Sequence, residues 1–408
     1  MQDVIIEEPY EFVPPRRGTI LPRLLKNLLV PRQLRKNFGV VDSACSGGEK
    51  VRDAIAAGHG VLLTPNHSRP SDPMALIYLA DAIDSLLYIM ASWHLFKQGW
   101  LQRFLIRTMG GFSIYREGMD RAALQCSMDI LANAERPLVI FPEGAVSRTN
   151  DLLNPLMEGT AAIARGAARK RAERDGGKVF VFPVAFRYHF LGDIEATLTP
   201  VLSDIEKRLS WQPQKHLELR ERIRKVGRGL LGLKEVEYIG ETQPGDLFER
   251  AGRLIDHLLH PLENEWLGGN QDGSVVARVK RLRAAILKDM VAEDLPTAER
   301  DRRWQQLSAL YFAQQLSLYP RGYLDGDPSN ERYLETVERF EEDLDDAARP
   351  HPPLKVAIDI CDGLEVSPER VRGPDPLMAA IEASLEQALG IDDAERLARP
   401  ADAAGSQP

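Results

Sequence analysis

The chain has 408 residues, of which 44% are hydrophobic and 27% charged, and its 27 prolines and 31 glycines follow no period. This composition is typical of globular domains and excludes a collagen-like chain, a low-complexity disordered chain and an integral membrane bundle. The net charge of −8 argues against nucleic acid as the main partner, and three widely spaced cysteines predict neither a disulfide framework nor a metal site but a reducing, cytoplasmic compartment.

Residues 1–40 predict a basic amphipathic N-terminal segment. Between Pro15 and Val40 there are seven Lys or Arg residues and no carboxylate. The cations alternate with apolar residues at helical spacing, namely Ile20, Leu21, Leu24, Leu25, Leu28 and Leu29. Such a helix can lie in a membrane interface, with its leucines toward the acyl chains and its cations toward anionic headgroups. A helix packed on its own domain has the same pattern, so both interpretations stay open.

Short apolar runs alternate with helical patterns over residues 41–203, which predicts an α/β domain with a mostly parallel sheet flanked by helices. Strands are predicted at Gly60–Thr64, Leu86–Ala91, Phe112–Tyr115, Leu138–Phe141 and Val179–Phe186. Over residues 204–351 the pattern changes to long charged helices and predicts a helical accessory region or insertion, in which no internal repeat is evident.

The last part of the chain changes character again. A predicted strand over Leu354–Ile360 and a predicted helix from about Asp375 to Gly390 form a unit at residues 352–395. We expect this unit to return to the first sheet, which makes the helical region an insertion. The polar residues 396–408 predict a disordered tail.

Chemically versatile residues follow the predicted strands, at the edge where open α/β sheets bind their ligands. His67 and Asp72 come after the first strand, and five residues of separation bring them together only in a turn. A carboxylate beside an imidazole fixes one tautomer and supports the ring as a general base. Asp72 with Pro73 is equally suited to start the following helix, a role that needs no catalysis.

Two further turns add positive charge and a flexible backbone. Glu143 and Gly144 follow the fourth strand, and Gly144 can adopt a positive φ that exposes backbone N–H groups to an oxyanion or phosphate. Arg148 lies in the same turn and Arg116 follows the third strand, and both have the fork geometry that suits phosphate. Together these residues predict a site that deprotonates a hydroxyl of a phosphate-bearing substrate.

In this order, the residues resemble the four sequence blocks of the glycerolipid (lysophospholipid) acyltransferase family, the 1-acylglycerol-3-phosphate acyltransferase-like proteins. The matching stretches are the His-x4-Asp block at 67–72, the Gly-to-Arg block at 111–116, the Phe-Pro-Glu-Gly block at 141–144 and the Phe-Pro-Val block at 182–184. The resemblance covers roughly residues 15–200. It implies an acyltransferase whose co-substrate is acyl-CoA or an acyl-carrier protein, with no cofactor and no metal.

The resemblance also implies roles for the site residues. His67 would activate the acceptor hydroxyl, Asp72 would orient His67, and Arg116 with the Glu143–Gly144 loop would bind glycerol phosphate. Two positions depart from the family pattern: Arg69 stands where a serine is usual, and Val146 where an arginine is usual. The second departure moves the expected phosphate contact to Arg148. The acceptor, either a glycerol phosphate or a lysophospholipid, stays open.

Two other functions are compatible with the sequence. A member of the same fold can bind lipid without catalysis, and the departures at Arg69 and Val146 allow this. The run Asp359-Ile360-Cys361-Asp362 resembles an aspartate-nucleophile phosphatase, but aspartates three residues apart lie on opposite faces of an extended strand, which favours a solvated turn. With an acyltransferase, the expected partners are the thioester donor, the acceptor and the cytoplasmic face of a membrane, where the protein would be peripheral, since no run of 18 apolar residues occurs.

Overall fold

The computed structural model describes residues 5–174, 177–292, 295–369 and 371–391. The chain divides into two compact units. The sheet unit comprises Tyr10–Gly192 and the described part of Pro350–Asp393, and the helical unit comprises Asp193–Arg349 and the described part of Met1–Pro9. The tail predicted at 396–408 lies outside the described residues.

The strands of the sheet unit, as far as it is described, form one eight-stranded sheet. In chain order they are β1 (Val40–Ser46), β2 (Gly60–Pro65), β3 (Tyr88–Ser92), β4 (Gly111–Ile114), β5 (Leu138–Val139), β6 (Val179–Phe190), β7 (Leu354–Ile360) and β8 (Leu364–Glu365). Their order is β1-β7-β6-β2-β5-β3-β4, with β8 beside β6. Strands β6, β2, β5, β3 and β4 run parallel, whereas β7 is antiparallel to β6 and parallel to β1.

The helices follow the same chain order. They are α1 (Ile20–Leu28), α2 (Val30–Phe38), α3 (Gly48–Ala56), α4 (Asp72–Ala82), α5 (Trp100–Thr108), α6 (Arg121–Asn133), α7 (Gly159–Arg174), α8 (Ile194–Arg208), α9 (Leu219–Ile239), α10 (Leu247–Leu267), α11 (Val275–Ala292), α12 (Thr297–Ser317), α13 (Asn330–Asp345) and α14 (Pro376–Leu389), with a 3-10 helix at Trp93–Phe96. The mostly parallel sheet with its helices confirms the predicted α/β class. The boundary predicted between 203 and 204 falls inside α8.

Two strands, β1 and the two-residue β8, are absent from the sequence prediction. Strand β1 has the sequence VVDSACS, in which small and polar residues outnumber the β-branched ones that favour strands. It lies at the edge of the sheet and pairs with β7 alone, so its side chains are only partly buried. The N-terminal segment also differs from the prediction of a single helix, because it forms α1 and α2, which meet at Leu29.

The sheet unit is completed by residues from both ends of the chain. Helices α6, α7 and α14 share one apolar core with the strands, in which Leu62, Val181 and Ile381 are fully buried. Strand β7 pairs with β6 over Val184–Phe190 and buries alternate residues. The N–H of Leu191 donates to the carbonyl of Pro353 (2.9 Å), so the chain leaves and re-enters the sheet unit at adjacent points.

The helical unit contains a recurring arrangement of side chains. In three helix connections of the described chain, a glutamate near the end of one helix binds an arginine of the next helix, and a glutamine eight residues after the glutamate donates its backbone N–H to the carboxylate. We call this arrangement the Glu–Gln–Arg clasp. The three clasps are Glu206–Gln214–Arg222, Glu235–Gln243–Arg250 and Glu263–Gln271–Arg278.

Candidate active site

The His67–Asp72 pair lies in the loop between β2 and α4. Nδ1 of His67 is 2.9 Å from Oδ2 of Asp72, and the backbone N–H of Arg69 donates to the same oxygen at 2.9 Å. Asp72 is the first residue of α4, not its N-cap, and is fully buried. Because an ionised carboxylate only accepts hydrogen bonds, Nδ1 of His67 carries the proton, and Nε2 carries the lone pair.

The His67 ring is held from one side by an aromatic residue of the neighbouring loop. Phe141, directly after β5, stacks on the imidazole with a centroid distance of 4.2 Å and an interplanar angle of 28°. The side chain of His67 keeps 15% of its surface exposed. The imidazole is therefore fixed on two sides and still open to a small reactive group.

Glu143 holds the two loops together. Its Oε1 accepts the backbone N–H of His67 (2.6 Å), its Oε2 accepts that of Asn154 (3.0 Å), and the side chain is buried. The sequence predicts Glu143 in the acceptor pocket. The hydrogen bonds place its carboxylate oxygens against the backbone of the two loops, where one of them fixes the position of His67.

The turn after Glu143 needs glycine at one position. Gly144 has a φ of +69°, and a Cβ there would lie 2.4 Å from Sδ of Met157. Its N–H donates to the carbonyl of Phe141 at 3.2 Å, so the positive φ, and not a ligand-facing N–H, accounts for the glycine.

The two predicted arginines lie at different distances from His67. The N–H of Ser147 donates to the carbonyl of His67 (2.7 Å), which brings the next residue, the half-buried Arg148 with a φ of +58°, into the same loop cluster. Arg116 follows β4, which is three strands from β2. With about 4.8 Å between neighbouring strands, the end of β4 lies roughly 14 Å from the end of β2.

Two asparagines continue the pairing along β6 beyond the end of its neighbour β2. The side chain of Asn66 donates to the carbonyl of Phe186 (3.0 Å) and accepts its N–H (2.6 Å). Asn150 makes the same pair of bonds with Tyr188, at 2.8 and 2.5 Å. Each side-chain amide therefore makes the two hydrogen bonds that a backbone residue of a neighbouring strand would make. Together they fix the part of β6 that contains Phe186 and Tyr188.

Tyr188 is a site residue that the sequence analysis did not identify. Its hydroxyl donates to Oδ1 of Asp72 (2.6 Å) and accepts from Oγ of Ser71 (2.9 Å). Burial and the neighbouring Asp72 carboxylate raise the pKa of Tyr188 well above its ordinary value. Arg69, the residue that departs from the family pattern, packs on this ring with its guanidinium 5.4 Å from the ring centroid.

The residues behind the phosphatase alternative are engaged in other contacts. Asp359 and Asp362 are exposed: the first accepts from Ser46 Oγ (2.5 Å), and the second pairs with Lys50 (2.7 Å). Within the described ranges, no three His, Cys, Asp or Glu side chains are grouped so that they can hold a metal ion. Burial raises the pKa of the Cys45 and Cys126 thiols to about 11, which disfavours their thiolates.

The fold and the paired side chains define a class of protein: an α/β domain with a hydrogen-bonded histidine and aspartate at the carboxyl ends of parallel strands. Residues 44–187 match the family model described as Acyltransferase, about a third of the chain. The chain therefore carries an Acyltransferase domain over these residues, which confirms the resemblance to the 1-acylglycerol-3-phosphate acyltransferase-like proteins and supports acyl transfer in general. A search of the curated proteins found no significant match.

Proposed function

We propose that this protein transfers a fatty acyl group from an acyl thioester to a hydroxyl group of a glycerol phosphate or a lysophospholipid. One observation carries the proposal: His67 and Asp72 are hydrogen-bonded at 2.9 Å within the Acyltransferase domain, in a loop at the carboxyl edge of the sheet. Acyl transfer needs a base that removes a proton from the acceptor hydroxyl, and the His67 pair meets this need.

In the proposed reaction, Nε2 of His67 takes the hydroxyl proton while the acceptor oxygen attacks the thioester carbonyl carbon. The C–S bond then breaks, and the imidazolium returns the proton to the departing thiolate. Asp72 keeps the ring in the required tautomer and stabilises its charged form during the transfer. The negative charge that develops on the carbonyl oxygen requires a donor nearby, and Arg148, in the loop bonded to His67, is our candidate.

We assign the phosphate of the acceptor to Arg116. A guanidinium binds phosphate through two parallel hydrogen bonds, and Arg116 is half-buried at the end of β4. The three strand spacings that separate β4 from β2 leave room for a glycerol backbone between the phosphate and the reacting hydroxyl. The donor, acyl-CoA or acyl-carrier protein, serves as a co-substrate, and the reaction needs no cofactor.

The experiment that tests this proposal is free-thiol release from long-chain acyl-CoA and acyl-carrier protein. Lysophosphatidate, glycerol 3-phosphate and a neutral lysolipid are offered in parallel as acceptors. We expect acceptor-dependent release that falls by about 10² or more in His67→Ala. His59→Ala is the matched control, because His59 precedes β2 at the opposite end of that strand and stacks on Phe180.

The same experiment separates the alternatives. Lysolipid binding by calorimetry without thiol release from either donor would favour a catalytically silent lipid-binding protein. Phosphate release from an aryl phosphate that survives in His67→Ala would favour the phosphatase alternative. Thiol release that His67→Ala leaves unchanged would exclude His67 as the base.

We also propose that α1 attaches the protein to the cytoplasmic face of a membrane as a peripheral protein. Ile20, Leu24 and Leu28, one helical turn apart, are each more than half exposed. Among the described residues, no helix has the length and apolar character needed to cross a bilayer. Lys26 pairs with Asp81 and Arg17 with Glu135, so we expect the apolar face to supply most of the binding energy.

A further inference from the structure

We propose that Tyr188 is a positioning residue for the acyl transfer, which extends the His67–Asp72 pair to a chain of three hydrogen-bonded side chains. This inference rests on the proposed function for its catalytic consequence. These hydrogen bonds join residues that are far apart in sequence: Tyr188 Oη donates to Asp72 Oδ1, and Asp72 Oδ2 accepts from His67 Nδ1.

The need for a third member follows from the burial of Asp72. Its carboxylate is fully buried, and a buried carboxylate stays ionised only when hydrogen bonds replace the lost water. Oδ2 is bound by His67 and the N–H of Arg69, while Oδ1 takes its hydrogen bond from Tyr188 at 2.6 Å. The phenol therefore stabilises the charge with which Asp72 orients the imidazole.

The position of Tyr188 is fixed by bonds at both its backbone and its hydroxyl. Asn150 binds the N–H and the carbonyl of Tyr188, and Ser71 Oγ donates to the phenol oxygen. A phenol oxygen that accepts a hydrogen bond becomes a stronger donor. Asn150 and Ser71 thus direct the Tyr188 hydroxyl toward Asp72.

Charged side chains from the surrounding elements lie near the hydrogen-bonded residues Tyr188, Asp72 and His67. Asp72 faces Tyr188 from α4, and Arg69 lies over its ring from the loop before α4. Glu143, from the loop after β5, accepts the backbone N–H groups of His67 and Asn154. The charge of Arg69 and the carboxylate of Asp72 are therefore the charged neighbours that act on the phenol.

Removal of the phenol hydroxyl has a predictable direction. Without the Tyr188 hydrogen bond, the Asp72 carboxylate becomes more basic and binds the His67 imidazolium more strongly. The protonated ring is then favoured, so Tyr188→Phe should move the titration midpoint of His67 to higher pH. The acid limb of the pH profile of kcat/KM should move in the same direction, because the base must be unprotonated.

The experiment measures the titration midpoint of the His67 ring by NMR in the full-length protein, and His67→Gln assigns the signal. In Tyr188→Phe we expect the midpoint to rise by about half a pH unit or more, and kcat to fall by about tenfold to a hundredfold. Ser71→Ala, which weakens the phenol as a donor, should shift the midpoint in the same direction by less. Tyr88→Phe is the matched control, since that buried tyrosine contacts Glu135 near the start of β3.

The outcomes separate this inference from the proposed function. A His67 midpoint that is unchanged in both Tyr188→Phe and Ser71→Ala would overturn the positioning role, and so would a fall in kcat without movement of the acid limb. A midpoint that rises as expected, in a protein that releases no thiol, would support the three-residue chain and refute acyl transfer. If Tyr188→Phe fails to fold, the shift in Ser71→Ala decides the matter.

Discussion

Arg116 and Arg148 are both cations of the candidate pocket, but the structure gives them different neighbourhoods. Arg148 follows Ser147, whose N–H donates to the His67 carbonyl, so its backbone lies beside the His67 loop. Arg116 lies three strands away and follows Tyr115, whose N–H is fixed by Asp120 (3.0 Å). We therefore expect Arg148 to affect the chemical step and Arg116 to affect substrate binding.

The prediction at this scale concerns Arg116→Gln. A hydrogen bond between charged groups contributes about 1.5–3 kcal/mol, so KM for a phosphorylated acceptor should rise about tenfold or more, with little change in kcat. A neutral lysolipid should be transferred as well as before. The matched control is Arg121→Gln, which removes an exposed arginine five residues further on. Equal losses with both kinds of acceptor would contradict the phosphate role.

At the scale of elements, the Glu–Gln–Arg clasps determine how successive helices of the helical unit are joined. In the second clasp, Glu235 is fully buried, and Arg250 binds both of its oxygens at 2.9 and 2.6 Å. The N–H of Gln243, in the connecting loop, donates to the same carboxylate at 3.0 Å. The clasp thus fixes the end of α9, the loop and the start of α10 together.

We predict that Arg250→Ala destabilises this connection by about 3–5 kcal/mol, because it leaves a buried carboxylate without its cation. Hydrogen exchange of peptides from α9 and α10 measures this loss locally. Arg228→Ala is the control, since Arg228 is an exposed arginine of α9. Equal exchange in the two variants would show that the clasp adds nothing to the stability of these helices.

The stabilisation that the second clasp contributes is lost at low pH. The hydrogen bond from Arg250 holds the pKa of Glu235 below its ordinary value. A carboxyl whose pKa is lower in the folded state stabilises the fold above its unfolded pKa of about 4.3, and this stabilisation is lost as the pH falls through the folded value. Protection of α9 and α10 should therefore decrease below about pH 4, and less steeply in Arg250→Ala.

At the scale of the whole molecule, the sheet unit is built from two separate stretches of chain. Strand β7 pairs with both β1 and β6, so the residues after 350 complete the sheet that begins at residue 40. The bond between Leu191 and Pro353 shows that the helical region leaves and returns at one place. A long insertion can be accommodated at such a point because it does not interrupt the register of the sheet.

Membrane attachment also involves the molecule as a whole. Removal of residues 1–40 is a poor test, because Val13 and Leu34 are buried in the sheet unit. We predict instead that Leu24→Glu with Leu28→Glu lowers partition to vesicles of phosphatidylcholine and phosphatidylglycerol at least tenfold, since two apolar side chains are lost from the interface. Flotation measures this directly.

The control for membrane attachment is Leu233→Glu with Val236→Glu, which changes two exposed apolar residues of α9 in the same way. We expect this control to bind vesicles like the unchanged protein. Equal partition of the α1 variant and the unchanged protein would refute α1 as the attachment surface.

The sequence by itself determined the α/β class, five strands of the sheet, strand β7 and the positions of His67, Asp72, Glu143, Gly144 and the two arginines. These features have local signals: apolar runs bounded by turns, and polar residues directly after them. Strand β1 lacked such a signal because its residues are small and polar. The clasps escaped notice because the members of each one lie on different helices, with a connecting loop between them.

Only the tertiary structure decided how the site is held together. Tyr188 and Asp72 are 116 residues apart, and Asn150 binds β6 from 38 residues away. Such contacts depend on strand register and loop conformation, which no local pattern of residue types encodes. Glu143 shows the same limit: its place after β5 is evident from the sequence, but only the folded loops bring its carboxylate to the backbone N–H groups of His67 and Asn154.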